Sequence, residues 1–261
     1  MRLRTPPLPG KLRRAPGHPG SDPTPEARDR AGIHAADWID ERTSLSGAAR
    51  WVMFRKVPKG TNWFYTLGSG AMFAFLSQAV TGVFLAMYYD PSVTNAYEST
   101  RHITNEVFLG EFVRGMHKWG STVMIVLVFL HMARVFFFGA YKYPRELNWM
   151  IGVALLVLTA LMALTGYLLP FDQRSFWATV VAVNINGTGP LAGPYLADFL
   201  RGGAEFGATT LSRFYAIHML IVPGAIATLL GAHLYLVARL GTTAPPWIEP
   251  ERSEAAPTTR T

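Results

Sequence analysis

Four of the seven histidines lie in apolar stretches, His117 and His131 in one and His218 and His233 in another. An ionisable side chain in a segment apolar enough to cross a bilayer is costly, which makes it a functional candidate by default. The members of the first pair are fourteen residues apart and those of the second fifteen. On regular helices these spacings rotate by roughly −40° and +60° and rise by ~21 to 22 Å, so each pair shares one side of its helix. In a hydrocarbon core of about 30 Å, one histidine then sits near each leaflet. With the two helices parallel, His117 faces His218 and His131 faces His233. A structural zinc site wants four ligands, and no cysteine or carboxylate accompanies these residues. A haem needs only two axial imidazoles, because its porphyrin supplies the other four nitrogens. With both axial positions filled, no position is left for oxygen or substrate, so such centres would carry electrons. A lone histidine on an apolar helix is more often a satisfied core residue or a proton relay; four at matched heights favour haem.

The glycines repeat the period. Gly68 and Gly82 are fourteen apart, and so are Gly152 and Gly166. One such pair would be put down to ordinary helix packing. Two pairs at the histidine period suit a flat macrocycle that needs backbones to come close, which glycine allows. Arg114, Lys118 and Arg134 flank the histidines of the second span and are placed to meet propionates; interfacial anchoring is the ordinary alternative. No role is assigned to His18, His34 or His102.

To hold these histidines the chain must supply membrane spans. Charge-free runs cover Thr61 to Tyr89, Leu147 to Phe171 and Phe214 to Ala238, each longer than the ~20 residues a crossing needs. A shorter run from Trp119 to Ala133 is flanked by Lys118 and Arg134, which can snorkel, so that span is expected from about Phe112 to Phe138. The fold class is therefore all-α, an integral membrane four-helix bundle with two haems, preceded by an interfacial amphipathic helix. The absence of cysteine removes disulfides, iron–sulfur clusters and covalent CxxCH haem.

Residues 1–63 hold twelve Lys/Arg against six Asp/Glu, six of the seven net positive charges. This segment lacks interleaved aromatics in its first thirty residues, so it reads as a positive-inside tail and no nucleic-acid partner is expected. Residues 1–33 are expected to be a disordered basic tail without a signal peptide. Residues 34–60, with Trp38, Trp51 and Phe54 among charges, are expected to form the interfacial helix. The dihaem domain spans 61–241, and 242–261 form a C-terminal tail. Basic residues before the first span, and Lys142 and Arg145 after the second, place both termini on the cytoplasmic side. About forty residues between the third and fourth spans, with NINGTGPLAGP in the middle, are long enough to be functional or partner-binding.

Two segments, RGMHKWGSTVMIVLVFLHMARVF from Arg114 and LSRFYAIHMLIVPGAIATLLGAH from Leu211, resemble cytochrome b of the cytochrome bc and bf complexes. YPRELNWMIG, TGYLLPFDQRSFWA and DFLRGGAEFGATTLSRFY extend the resemblance, which runs from about Asp37 to Gly241. The fifteen-residue spacing and the short chain resemble the split form, in which the remaining helices belong to a separate subunit. The resemblance implies two non-covalent haem b groups and quinone as substrate, with no catalytic residue assigned to this chain alone. It implies a split C-terminal partner subunit, a Rieske iron–sulfur protein and a cytochrome c-type subunit, in a homodimeric complex of a bacterial inner membrane. His117 and His218 would hold the exterior-side iron, His131 and His233 the cytoplasmic-side iron. Tyr167, Phe176, Trp177, Ala178 and Val181 resemble the lining of the exterior quinone pocket, although interfacial helices burying aromatics would look the same. Arg239 is a candidate for the cytoplasmic quinone or a propionate. Two departures stand out. Thr66 replaces the cysteine that usually holds an extra c-type haem in the split form, so a covalent third haem is not expected, and Phe171 stands where the family usually has tryptophan. The rival readings are a dihaem membrane anchor of a dehydrogenase or hydrogenase, and a haem-free transporter or scaffold.

Overall fold

A computed structural model describes residues 37, 38, 40–43 and 59–247. The chain divides into two compact units, Met1–Lys56 and Val57–Thr261. In the first, the described residues are helical, and the Arg42 guanidinium lies 4.2 Å from the centre of the Trp38 ring. The whole of the expected basic tail, residues 1–33, most of the expected interfacial helix and most of the expected C-terminal tail lie outside the described residues.

Among the described residues of the second unit every regular element is helical. A 3-10 turn, Trp63–Thr66, capped by the Asn62 side chain, leads into α1, Leu67–Ala86. Then follow α2, Ala96–Asn105; α3, Gly110–Phe137; α4, Glu146–Leu168; α5, Gln173–Gly187; α6, Gly193–Arg201; α7, Ala208–Ala216; and α8, Val222–Leu240. Four helical stretches are long and apolar enough to span a membrane: Trp63–Ala86, Gly110–Phe137, Glu146–Leu168 and Ala208–Leu240. Their outward faces carry exposed Phe73, Val80, Val83, Val126, Phe129 and Val157. Such faces would be a liability in water and suit hydrocarbon.

The fourth stretch starts six residues before the charge-free run because Arg213 does not interrupt it. That guanidinium turns aside to donate to the Phe199 carbonyl of α6. Between α7 and α8 runs a π turn, Ile217–Ile221, in which the Val222 amide donates to the Ile217 carbonyl. A π turn accommodates one extra residue per insertion, and Pro223, two residues after its end, lacks the amide that a regular helix would use. The fifteen-residue spacing of His218 and His233 thus behaves as fourteen plus one, which brings the second pair back into phase with the first.

Packing is organised by pairs. α1 lies on α3 and α4 on α8, so each histidine-bearing helix rests on a glycine-bearing one. The helices α2, α5 and α6, in connections read from sequence as loops, close one end of the bundle. There Ala96, Leu168, Val183, Leu200, Leu211, Phe214, Val222 and Ile226 form a buried core. α5 begins at Asp172, whose carboxylate accepts from the Ser175 amide at 2.7 Å, the usual N-cap arrangement.

At the same end the Tyr89 phenol donates to the Leu169 carbonyl at 2.6 Å, and its ring sits 5.7 Å from that of Tyr215. Burial raises the Tyr89 pKa above its ordinary value, with Tyr215 and Asp90 adding to the shift. The phenol therefore keeps its proton and remains a donor that ties the end of α1 to the end of α4. Tyr89→Phe is expected to remove about 0.5–1.5 kcal/mol of stability, read as a lower thermal unfolding midpoint of the detergent-purified protein.

Candidate functional site

The structure brings His117 to His218 and His131 to His233. Both pairs have ring centres 6.5 Å apart, with ring planes at 76° and 81°. A metal–imidazole nitrogen bond is about 2 Å, and each nitrogen lies a little over an ångström from its ring centre. One ion bonded to both rings of a pair would therefore separate the centres by roughly 6 Å, close to the observed value.

Each ring also lies on a glycine. A Cβ added to Gly166 would sit 2.5 Å from His218 Cε1; at Gly68 it would lie 3.0 Å from His131 Cε1, at Gly82 3.2 Å from His117 Cε1 and at Gly152 3.6 Å from His233 Cε1. The shared period of glycines and histidines thus has a direct steric reading: each imidazole uses the space a side chain would take.

The two ends differ. At the end with the packed core, Thr81 Oγ1 is 2.9 Å from His117 Nδ1, and Thr165 Oγ1 is 3.1 Å from His218 Nδ1. The Met162 carbonyl is also 3.1 Å from His218 Nδ1. At the other end a cavity of about 350 Å³ opens between α1, α3, α4 and α8, lined by His131, His233, Gly68, Gly152, Arg134 and Arg145 among others. Among the described residues, every buried side-chain nitrogen or oxygen without a hydrogen-bond partner belongs to the wall of this cavity. These atoms are Tyr65 OH, Arg134 Nε and Nη2, Asn148 Oδ1, His233 Nδ1 and Thr243 Oγ1. Unsatisfied buried polar groups are expensive, so their concentration in one apolar hollow points to a ligand with a large apolar body and polar, anionic edges. The Arg134 guanidinium is held 3.7 Å from the centre of the Tyr65 ring, in place for such an anion.

The other residues singled out from sequence are spread more widely. Arg114 donates to Thr104 Oγ1 at 3.0 Å, and Lys118 is exposed. Phe176 packs edge-on against Phe171, Trp177 and Phe206. Tyr167, Ala178 and Val181 are exposed. Arg239 is also exposed, lies 5.8 Å from the centre of the Tyr235 ring and is not part of the cavity wall. Arg145 is on the wall instead, donating to the Leu240 carbonyl at 3.0 Å and capping α8. His102 is exposed and pairs with Glu106; His18 and His34 lie outside the described residues. Sequence reasoning passed over Thr81, Thr165, Tyr65 and Asn148. The first two had a signal, since each immediately precedes a glycine of the fourteen-residue period.

Residues 52–241 match the family described as cytochrome b/b6/petB. The menaquinol:cytochrome c reductase cytochrome b subunit of Geobacillus thermodenitrificans is 42% identical over 217 residues, covering 80% of this chain and 97% of that protein. Cytochrome b6 of Heliomicrobium gestii is 43% identical, covering 80% of this chain and 99% of its own length. Cytochrome b6 of Synechococcus elongatus is 37% identical, with 80% and 97% covered. A solved structure titled hyperthermophilic respiratory Complex III matches at a TM-score of 0.75 and 34% identity, over 84% of this chain. This chain spans 58% of that one.

The glycine contacts set an order for substitution. Gly166→Ala forces His218 aside and is expected to cost about 1–3 kcal/mol, the usual scale of overpacking. Gly68→Ala and Gly82→Ala should follow in that order. Gly152→Ala meets only ordinary contact and should be neutral or gain up to about 1 kcal/mol of helix propensity. Thermal unfolding of the four variants checks the order.

Proposed function

This chain belongs to the cytochrome b family, and from that premise we propose that it carries electrons across the membrane through two haem b groups as part of a quinol:cytochrome c (or related acceptor) reductase. The carrying observation is the pair of facing histidine couples with equal ring separations of 6.5 Å at two depths of one multi-pass bundle.

His117 and His218 would hold one haem iron, and His131 and His233 the other. Bound haem b supplies a one-electron couple with no open coordination position. The remaining work falls to the protein. Gly68, Gly82, Gly152 and Gly166 make room for the imidazoles, Arg134, whose Nε and Nη2 lack hydrogen-bond partners, would receive a propionate, and Arg114 and Lys118 are candidates for the same task at the other end. The lipid-facing side chains keep both sites in a dry, low-dielectric interior.

The site with the packed core is assigned to the exterior side and the site with the cavity to the cytoplasmic side, with both chain termini cytoplasmic. Quinol would be oxidised near α5, where Phe176, Ala178 and Val181 stand with Tyr167 of α4, and quinone reduced near the cytoplasmic site, with Arg239 as a candidate contact. Protons are then released and taken up on opposite faces. Moving one charge against the membrane potential is worth ~2.3 kcal/mol per 100 mV. Two sites ~21 Å apart along the helices span most of that drop, which a single site cannot do.

In this reading the chain works with a split C-terminal cytochrome b partner, a Rieske iron–sulfur protein and a cytochrome c-type subunit, in a homodimeric complex of a bacterial inner membrane. Thr66, whose hydroxyl donates to the Trp63 carbonyl at 2.7 Å, offers no thiol for a covalent third haem.

His131→Ala is expected to remove one of two b-type haems and leave the other, measured as half the b-band in a reduced-minus-oxidised spectrum. Retention of both would end the assignment. Co-purification with a Rieske protein separates this reading from a dihaem anchor of a dehydrogenase or hydrogenase.

A further inference from the structure

The residues preceding the four ring-contacting glycines differ between the two depths. Thr81 and Thr165 stand before Gly82 and Gly166; Leu67 and Ile151 stand before Gly68 and Gly152. Thr81 Oγ1 lies 2.7 Å from the Ser77 carbonyl, and Thr165 Oγ1 lies 3.0 Å from the Leu161 carbonyl and 3.1 Å from that of Met162. A hydroxyl has one proton, and a carbonyl can only accept. The proton is therefore committed along the helix, and each hydroxyl oxygen is left to accept from the imidazole Nδ1–H 2.9 or 3.1 Å away. For His218 the Met162 carbonyl demands the same tautomer.

Back-bonding by a threonine to its own helix is commonplace, and Thr159 does it with the Leu155 carbonyl. What sets Thr81 and Thr165 apart is the second contact, made from two different helices to the two histidines of one pair. At the other depth no hydroxyl among the described residues meets a ring nitrogen of His131 or His233.

Accepting a hydrogen bond from Nδ1–H fixes the tautomer that presents the Nε2 lone pair and makes the imidazole a stronger donor. The effect is greatest where water is absent, and Thr165 is fully buried and Thr81 nearly so. A stronger axial donor favours the oxidised, more positive iron over the reduced one. The couple remains one electron with no proton moved, because Nδ1–H stays on the ring in both states.

We propose that Thr81 and Thr165 are positioning residues that hold His117 and His218 as the Nδ1–H tautomer and, through these hydrogen bonds, lower the one-electron midpoint potential of that site. The proposal rests on the bis-histidine haem reading above.

The test is a potentiometric titration of the b-band in the complex purified from membranes. Thr165→Val, which keeps the shape and removes the hydroxyl, should raise one of two b-type midpoints by about 60 mV, a tenfold shift in a one-electron equilibrium, and leave the other in place. Thr165→Ser should restore the original value. Unchanged midpoints in Thr165→Val and Thr81→Val, or equal movement of both, overturns the proposal. Should valine empty the site, Ile151→Thr decides, since it retains both native threonines: a downward shift of the other midpoint supports the proposal and no shift overturns it. A native complex lacking two b-type transitions would instead overturn the dihaem reading on which the proposal stands.

Discussion

Everything in this bundle depends on how closely an imidazole can approach the backbone of a neighbouring helix. A histidine side chain is short, and for two of them to meet across a gap each must lie close against the helix beside it. His218 shows how little tolerance there is, since a methyl group on Gly166 would sit 2.5 Å from its ring. The pairing of helices follows from this contact. α3 lies on α1 and α8 on α4 because those glycine-bearing faces are the ones that admit rings, and the slot between the two pairs is where the histidines meet.

The two ends of the slot are finished differently. Near His218 the short helices of the connections fold over the bundle, and Leu168, Val183, Leu211 and Phe214 pack with essentially no exposed surface. Near His233 the helices enclose a cavity, and unsatisfied polar atoms gather on its wall. A buried guanidinium such as that of Arg134 is costly unless paired; stacking on Tyr65 offsets part of that cost, while Nε and Nη2 are left without hydrogen-bond partners. One end is thus held by protein packing, while the other is left as a cavity with unsatisfied polar atoms on its wall.

The π turn at Ile217–Ile221 shows how local backbone chemistry serves the same constraint. Fifteen residues on a regular helix would leave His218 and His233 about 100° out of step with the fourteen-residue pair. One wide turn beside Pro223 absorbs the extra residue, and both pairs end with the same ring separation.

The sequence by itself determined the four spans, the depths of the histidines and the matching period of the glycines, because each is a property of one helix at a time. Hydropathy marks a span without reference to its neighbours, and a spacing of fourteen residues is already a height and a face. It left α2, α5 and α6 unread, since short amphipathic helices gain their order from the bundle they cap. It also stopped the fourth helix short at Arg213, whose guanidinium donates to the Phe199 carbonyl and lies over the Phe199 ring. Which glycine receives which ring, which hydroxyl meets which nitrogen, and that Arg145 rather than Arg239 stands on the cavity wall, were decided by tertiary structure. Those relations join residues up to 96 positions apart, and a contact between two helices depends on their relative rotation, which neither carries in its own sequence.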